Sequence, residues 1–455
     1  MNNTRKTRRI LYGAVIILVL ILLAAAGYIN SVMPIITGYA AKNLCSDVFV
    51  SGRDAKSVES VDLDFSFIRF TKNKIDYGNK SVTSRFLWGR SKAIYRDGFG
   101  STLLRGVTES ELRRNKYPLI TGPGFLQDTV MWPLGNIIPD QDSTGIDRAK
   151  IEEIARQLVF KGAYYGNIFA FIVLHNGIPV VETYKPGFDM NTRFLSWSMA
   201  KSFINAITGL LVRDGKLDTS KPSGIDEWQS DDRKNITLND LLQMQSGLKW
   251  NEDYGSRSDV NLMLFNEGDM ARYAIDQPLS DQPGTNWYYS SGTVNIISSM
   301  VRDQFINDSS YYTYVQKELF QRIGIMDADF EVDPSGTYVG SSYLYATARD
   351  YARFGLLYLN DGVFFGERIL PEGWVSYSTT PATASSENYG ALFWLNKGGK
   401  YPSAPRDLYS CEGHDDQMIF ILPSKKMVVV ILGFSHGPEN GIDLDRLLKD
   451  ITGTL

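Results

Sequence analysis

The chain has 455 residues, 43% of them hydrophobic and 22% charged, which is the balance of an ordinary globular protein. Its 47 Lys and Arg against 51 Asp and Glu leave a net charge of −4, and this composition argues against a nucleic-acid partner. A chain of this length accommodates two or three domains.

The N-terminus combines a basic tail, residues 1–9, with an uncharged apolar run at residues 10–28. At 1.5 Å per helical residue, this run approaches the roughly 30 Å hydrocarbon thickness of a bilayer. We therefore predict a single-pass anchor in the inner (cytoplasmic) membrane. Because no charge follows the run until Lys42, the bulk of the chain is expected on the periplasmic or extracellular side. The alternative is a cleaved signal peptide, for which residues 24–26, all alanine, offer a cleavage site.

Cysteine usage allows one covalent cross-link. Cys45 and Cys411 are the only two cysteines in the sequence, too few for a structural zinc site. An exported protein experiences an environment in which disulfides persist. We therefore hypothesise a Cys45–Cys411 bridge, with two buried thiols as the alternative.

Residues 29–144 are predicted to form a β-rich segment that ends in a linker. Residues 61–67 alternate between apolar and polar side chains, as a half-buried strand does. Residues 84–88 and 92–95 are also strand-like and are bounded by turn residues. Proline and glycine at 133–139 mark the linker. No catalytic pattern occurs in this segment, so we interpret it as a packing or positioning module.

Residues 145–455 have the pattern of an α+β domain. A helix is predicted at 147–158, and apolar runs at 167–174 and 178–184 flank a His-Asn-Gly turn, which indicates a β-hairpin. Further helices are predicted at 198–213, 237–245, 260–275, 293–305, 311–324, 348–359 and 444–451, and further strands at 417–422 and 427–432. This order predicts an antiparallel sheet flanked by helices, with a helical lobe.

The first motif with chemical meaning is Ser198-Met-Ala-Lys201, at the start of an apolar helical run. Residues i and i+3 lie on one helix face, so the lysine amine can reach the serine hydroxyl and act as its base. A second Ser-x-x-Lys match, Ser246 to Lys249, contains Gly247 and falls where a helix is expected to end. We interpret the second match as structural.

Two later segments contain residues that could act together with Ser198 and Lys201. Residues 283–291 read Pro-Gly-Thr-Asn-Trp-Tyr-Tyr-Ser-Ser, and this segment contains Tyr289 and Ser291. Residues 412–417 read Glu-Gly-His-Asp-Asp-Gln, just before a predicted strand.

In this order, the three motifs resemble those of a family of serine hydrolases. The family includes class C β-lactamases, DD-peptidases, esterases and 6-aminohexanoate-dimer hydrolase, and the resemblance covers residues 145–455. It implies a β-lactamase-like fold, Ser198 as nucleophile, and Lys201 and Tyr289 as the groups that move protons. His414 would stand in place of the family's strand lysine. The backbone N–H groups of Ser198 and Gln417 would form the oxyanion hole.

Two positions depart from the family pattern, and both bear on the substrate. Ser291 replaces an asparagine that holds the substrate amide in β-lactamases, and Asp416 replaces a glycine beside the substrate strand. Together with His414, these residues are expected to shape substrate binding. They favour cleavage of an ester or small linear amide, without metal or cofactor. A DD-peptidase or weak β-lactamase is the first alternative, and an inert binding or sensor protein on the same scaffold is the second. The oligomeric state is left open.

Overall fold

The computed structural model describes residues 2–122, 124, 126–139, 145–437 and 440–455, with the backbone alone for residues 2–10. The side chains of the predicted basic tail therefore lie outside the described part of the chain. The backbone there already belongs to the first helix.

Helix α1 (Asn2–Phe49) is much longer than the predicted anchor. Its large apolar side chains between Leu11 and Leu23 are exposed, and this stretch is long and apolar enough to cross a membrane. From Met33 onward the helix is buried in the body of the protein. The prediction that residues 29–49 belong to a β-rich segment is therefore wrong. Lys42, the first charged residue after the apolar run, is buried in this helix and paired.

A small antiparallel sheet follows α1 and packs against it. The elements of this region are α2 (Ala55–Val61), β1 (Lys72–Asp76), β2 (Ser81–Phe86), β3 (Gly89–Arg96), β4 (Gly100–Leu103) and α3 (Glu109–Arg114). The strands predicted at 84–88 and 92–95 fall in β2 and β3. The strand predicted at 61–67 is wrong, because this segment is the end of α2 and a turn. Its side chains are not alternately buried: the adjacent Asp62 and Leu63 are both buried, and Asp62 pairs with Arg53 at 2.6 Å.

A buried ion pair ties α1 to the rest of the molecule. Lys42 pairs with Glu331, whose Oε1 also accepts hydrogen bonds from Ser46 Oγ at 2.9 Å and from Ser101 N at 2.6 Å. Both side chains of the pair are almost fully buried. One continuous hydrophobic core contains residues of α1, of the small sheet and of the larger domain.

From residue 145 onward the chain forms the predicted α+β domain. Its helices are α4 (Arg148–Lys161), α5 (Ala200–Arg213), α6 (Leu238–Leu242), α7 (Asp259–Asn266), α8 (Met270–Ile275), α9 (Ser291–Arg302), α10 (Asp308–Val315), α11 (Ala348–Leu359), α12 (Trp374–Ser378) and α13 (Leu444–Thr452). Its strands are β5 (Ile168–His175), β6 (Ile178–Tyr184), β7 (Arg193–Leu195), β8 (Asp329–Phe330), β9 (Leu344–Thr347), β10 (Val363–Phe364), β11 (Glu367–Arg368), β12 (Trp394–Leu395), β13 (Tyr409–Gly413), β14 (Gln417–Leu422) and β15 (Met427–Gly433).

The main sheet of the domain is six-stranded and antiparallel, in the order β12-β13-β14-β15-β5-β6. Alternate side chains enter the cores on its two faces, as the pleat requires. Val428 and Val430 belong to the core that contains α11, whereas Val429 and Ile431 belong to the core that contains α4 and α13. Strands β7, β8 and β9 form a separate three-stranded sheet. The predicted hairpins and the helices at both ends of the domain are present.

The helix predicted at 260–275 is two helices, α7 and α8. The break occurs at Gly268, where a Cβ would lie only 2.5 Å from the carbonyl oxygen of Arg105. Asp269 then caps α8 by accepting a hydrogen bond from the backbone N–H of Arg272. The sequence pattern predicts one continuous helix here, but close packing of Gly268 against the N-terminal region interrupts it.

The two cysteines are separate buried thiols, which overturns the hypothesis of a disulfide. Cys45 lies in the buried half of α1, beside Ser101 of the small sheet. Cys411 lies in β13 of the main sheet, beside Ser202 of α5. Each thiol is enclosed by its own neighbours, which leaves the two without a contact to each other.

Candidate active site

Ser198 lies on a tight turn between β7 and α5. The residue before it, Trp197, has a φ of 43° although it is buried and not glycine. Such a conformation costs energy in a bulky residue and persists only where the surroundings enforce it. Gly413 at the end of β13 packs directly against this turn, since a Cβ there would lie 2.3 Å from the carbonyl oxygen of Ser196. The turn thus places the start of α5 beside the ends of β13 and β14.

Lys201 is the centre of the polar contacts at this position. Its Nζ lies 2.8 Å from Ser198 Oγ, 3.0 Å from Ser291 Oγ and 2.9 Å from the carbonyl oxygen of Ser341. The lysine is almost completely buried, in the first turn of α5. The structure therefore brings together the predicted nucleophile, its predicted base and the predicted Ser291.

Glu252 is a residue of this cluster that the sequence motifs do not include. Its carboxylate accepts hydrogen bonds from Ser291 Oγ at 2.5 Å, from Ser291 N at 2.9 Å and from Trp250 Nε1 at 2.5 Å. Glu252 lies in a loop without periodicity, 39 residues from Ser291 in the sequence, so no local pattern indicates it. Ser341 was also missed, because it contributes only a backbone carbonyl.

The contacts of Glu252 determine whether Lys201 donates or accepts in each of its hydrogen bonds. Since Ser291 donates its hydroxyl proton to Glu252, it can only accept from Lys201. The carbonyl oxygen of Ser341 likewise can only accept. A neutral amine has two N–H groups and one lone pair. With both N–H groups engaged, the lone pair of neutral Lys201 is directed at the hydroxyl of Ser198.

Burial makes the neutral form of Lys201 accessible. Loss of solvation lowers its pKa from 10.5 to about 8, while the negative charge of Glu252 acts in the opposite direction. A substantial fraction of the amine is therefore neutral slightly above neutral pH. The arrangement can accept a proton from Ser198 without a metal ion.

Tyr289 lies on the other side of Lys201. The lysine Nζ is 4.9 Å from the centroid of the tyrosine ring. Burial raises the pKa of the Tyr289 phenol well above 10, and the adjacent Ser198 hydroxyl only partly offsets this. Tyr289 is a protonated donor in this site.

His414 reaches the site through aromatic contacts. Its ring stacks on Tyr254 with a centroid distance of 4.8 Å and contacts the edge of Trp197 at 5.6 Å. Burial lowers the pKa of the imidazole below 6.5. His414 is therefore neutral at pH 7, and a switchable positive charge is restricted to acidic conditions.

Gln417 is the first residue of β14, and its backbone pairs with Gly413 next to the turn of Ser198. The side chain of Gln417 is already engaged, since its Nε2 donates to the carbonyl oxygen of Gly433 at 2.5 Å and to that of Asp415 at 3.1 Å. Only the backbone N–H of Gln417 is thus a candidate for the oxyanion hole.

Asp416 does not occupy the position expected from the sequence. Asp415 and Asp416 both adopt left-handed backbone conformations, with φ of 58° and 62°. The turn directs the Asp416 carboxylate toward the last helix, where it accepts a hydrogen bond from Ile442 N at 2.8 Å. The expectation that Asp416 crowds the substrate strand is therefore wrong.

One group of potential metal ligands occurs in the described part of the chain. The donor atoms of His414, Asp415 and His436 all lie within 4.8 Å of one another. Asp415 Oδ1 is 3.1 Å from His436 Nδ1 and 3.4 Å from His414 Nε2. The carboxylate thus serves as a shared partner of two imidazoles, and none of these atoms contacts Lys201.

The second Ser-x-x-Lys match is separated from this site. Ser246 is buried and accepts a hydrogen bond from Leu248 N, whereas Lys249 is exposed. Gly247 between them has a φ of 73°, so the segment is not helical. The i, i+3 geometry that joins Ser198 to Lys201 does not exist here.

Comparison with known proteins places these motifs in context. The family model described as Beta-lactamase matches residues 150–452. The 6-aminohexanoate-dimer hydrolase of Paenarthrobacter ureafaciens is 27% identical over 219 residues, which are 45% of this chain and 55% of that protein. The chain thus spans about half the length of this curated relative.

Solved structures share the fold. A Bacillus anthracis protein described as a 6-aminohexanoate-dimer hydrolase superposes with a TM-score of 0.56 at 20% identity, over 74% of this chain and 86% of that one. EstCE1, described as a hydrolase with promiscuous acyltransferase activity, gives a TM-score of 0.54 at 13% identity, over 66% of this chain and 99% of that one. These matches confirm the predicted fold class.

Proposed function

The chain belongs to the beta-lactamase family of serine hydrolases, and on this premise we propose that it cleaves an ester or small linear amide through an acyl-enzyme on Ser198. The observation that carries this proposal is the 2.8 Å contact between Lys201 Nζ and Ser198 Oγ, with the other two contacts of Lys201 made to acceptors. A buried lysine whose amine contacts three uncharged oxygens is well suited to act as a base.

In the acylation step, the hydroxyl oxygen of Ser198 attacks the substrate carbonyl carbon while Lys201 accepts its proton. The carbonyl oxygen becomes an oxyanion, held by the backbone N–H groups of Ser198 and Gln417. Each such donor is worth about 3 kcal/mol in the transition state. The position of Ser198 at the start of α5 adds the positive end of the helix dipole.

The leaving group then needs a proton, and Tyr289 supplies it. Its phenol is protonated over the whole physiological range, which suits a donor, and the proton is restored from Lys201. In deacylation a water molecule attacks the acyl carbonyl, gives a proton to the Lys201–Tyr289 pair and releases the acid. Ser198 regains its hydroxyl proton. The cycle consumes one water and needs no metal or cofactor.

The N-terminal part of α1 suits a membrane anchor. Its side chains from Leu11 to Leu23 are apolar and exposed, which has a ready explanation if lipid surrounds them. We propose a single-pass anchor in the inner membrane with the domain of residues 145–455 on the periplasmic or extracellular side.

Ser291 and the matched relative support the substrate class that we propose. Ser291 has no side-chain amide with which to hold a β-lactam, and its hydroxyl is already engaged by Glu252 and Lys201. The match to a 6-aminohexanoate-dimer hydrolase favours a linear amide or an ester. Penicillin turnover is the competing outcome.

Activity-based labelling tests the proposal. A fluorophosphonate probe is expected to label the full-length chain in detergent, and Ser198→Ala is expected to abolish labelling. Ser246→Ala removes the serine of the second Ser-x-x-Lys match and is the matched control, which is expected to label like the wild type. A panel of short esters, linear amides and penicillins then assigns the substrate class. Labelling that persists in Ser198→Ala would overturn the assignment of the nucleophile.

A further inference from the structure

A large cavity runs between α1 and the catalytic domain. Its volume is about 690 Å³, within the range of roughly 300–1,000 Å³ typical of ligand pockets. Apolar and aromatic side chains make up most of its lining, and Arg257 is the one permanently charged residue among the described residues that line it. A mostly apolar cavity of this size can accommodate a hydrocarbon chain.

The outer end of the cavity begins where α1 leaves the exposed apolar stretch. Tyr28, Ile29 and Val32 line it there. Phe67 and Leu87 from the N-terminal module form its rim, and their side chains are 60% and 69% exposed. Tyr28 is also 60% exposed, and tyrosine at the end of an apolar helix is typical of a membrane–water interface. The mouth of the cavity therefore lies at the level where the anchor would emerge from lipid.

The inner end of the cavity approaches Trp197, and Ser198 itself does not line it. Tyr254 and His414 close it, and His414 contacts Trp197, the residue before Ser198. On the α1 side the lining ends at Tyr39, whose ring stacks on Trp197 with a centroid distance of 6.2 Å. From Tyr28 to Tyr39 the helix rises roughly 16 Å, which is the length scale of a long acyl chain.

We propose that this membrane-side cavity binds the long acyl chain of an ester or amide that enters from the outer surface of the bilayer. The carbonyl group at the head of the chain would then reach Ser198 past Trp197 and His414, and the acyl group transferred to Ser198 would remain in the cavity until water releases it. This inference rests on the proposed function of Ser198 and adds a substrate class to it. It also gives the N-terminal module a role, because that module builds the rim.

The test compares two esters of one fluorogenic alcohol with the full-length chain in lipid nanodiscs. 4-Methylumbelliferyl palmitate carries a long acyl chain and 4-methylumbelliferyl butyrate a short one. We expect the ratio of kcat/KM for palmitate to that for butyrate to fall at least about tenfold in Val32→Trp, which fills the cavity with a larger apolar side chain. Phe67→Glu, which places a charge at the rim, is expected to lower the same ratio. Phe365→Glu is the matched control, since Phe365 is 69% exposed but does not line the cavity.

A second measurement does not depend on turnover. A photoreactive palmitic acid is crosslinked to the Ser198→Ala protein in nanodiscs, and the labelled peptides are identified by mass spectrometry. We expect labelling of residues 254–261, on the wall away from lipid, and its loss when Val32→Trp is added. Unlabelled residues 254–261, or a palmitate-to-butyrate ratio equal in all variants, would overturn the inference. Butyrate hydrolysis that survives Ser198→Ala would instead refute the proposed function, and the crosslinking would still decide on the cavity.

Discussion

Glu252 accepts a hydrogen bond from the hydroxyl of Ser291 at an oxygen–oxygen distance of 2.5 Å, and this contact sets the direction of the hydrogen bonds around Lys201. Ser291 is left with an acceptor lone pair for the lysine, so the amine can direct its own lone pair at Ser198. Because Glu252 acts on Lys201 through Ser291, we regard it as a positioning residue. Its negative charge also raises the pKa of Lys201, against the effect of burial.

Replacing Glu252 separates these two effects. In Glu252→Gln the loss of the charge is expected to lower the pKa of Lys201 further, because the only opposing influence on burial is removed. The acidic limb of the kcat/KM profile, where activity rises as Lys201 loses its proton, should therefore move to lower pH, while the maximal rate falls because Ser291 loses its fixed orientation. Profiles measured with a short ester give both quantities. Glu372→Gln, an exposed carboxylate elsewhere on the domain, is the control. An unchanged pH limb would show that Glu252 does not act on Lys201.

The wild-type pH profile follows from the pKa of Lys201. Burial lowers this pKa to about 8, and only the neutral amine can accept the proton of Ser198. Below pH 8 the neutral fraction, and with it kcat/KM, is expected to fall about tenfold for each pH unit. The free energy of unfolding also rises with pH. Between about pH 8 and 10.5 Lys201 is protonated in the unfolded chain but neutral in the folded protein, so raising the pH through this window favours folding.

A rate that stays flat between pH 6 and 9 would contradict this base assignment. Lys201→Met is expected to remove the limb together with most of the activity, because a methionine can neither accept a proton nor bind Ser291. Circular dichroism of the variant at each pH controls for unfolding.

The sequence predicts those parts of the site that depend on local geometry. Ser198 and Lys201 meet because residues three apart on a helix share a face, which the spacing alone reveals. The order of the motifs then indicates Tyr289 and Gln417. Glu252 could not be predicted in this way, because its contact with Ser291 joins a loop to a helix start across the fold.

Two errors have one cause, which is that a pattern of residues does not reveal the backbone conformation between them. Asp416 was expected to face the substrate, but left-handed conformations at Asp415 and Asp416 turn its carboxylate to Ile442. Residues 61–67 alternate like a strand, yet the adjacent Asp62 and Leu63 are both buried, and Asp62 pairs with Arg53. In both places a carboxylate has a partner that the local pattern of residues does not indicate.

Tyr289 is expected to act as the donor to the leaving group, which makes its replacement sensitive to the substrate. Tyr289→Phe should lower kcat about 10²- to 10⁴-fold for a linear amide, whose amine leaves only when protonated. The loss should be much smaller for a p-nitrophenyl ester, whose leaving group is stable as an anion. Tyr288→Phe is the matched control, since Tyr288 is the adjacent residue and 53% exposed. Equal losses on both substrates would exclude a role in leaving-group protonation and indicate a role in packing.

The buried pair of Lys42 and Glu331 is expected to hold α1 in the body of the protein. Burial raises the pKa of Glu331, and the charge of Lys42 opposes this. Lys42→Met leaves the carboxylate unpaired in a site with almost no exposed surface, which should lower the free energy of unfolding by about 3–5 kcal/mol. Urea unfolding of the full-length chain in detergent, followed by tryptophan fluorescence, measures this loss.

Two further variants make the measurement specific to the buried pair. Lys80 pairs with Asp97 on the surface, with side chains 49% and 85% exposed, so Lys80→Met should cost less than about 1 kcal/mol. Adding Glu331→Gln to Lys42→Met removes the unpaired charge and should recover part of the loss, since a neutral amide can still accept from Ser46 and from Ser101 N. If Lys42→Met had the same free energy of unfolding as Lys80→Met, the Lys42–Glu331 pair would not be what holds α1 against the rest of the protein. The rim of the membrane-side cavity would then need another support, because α1 forms one of its walls.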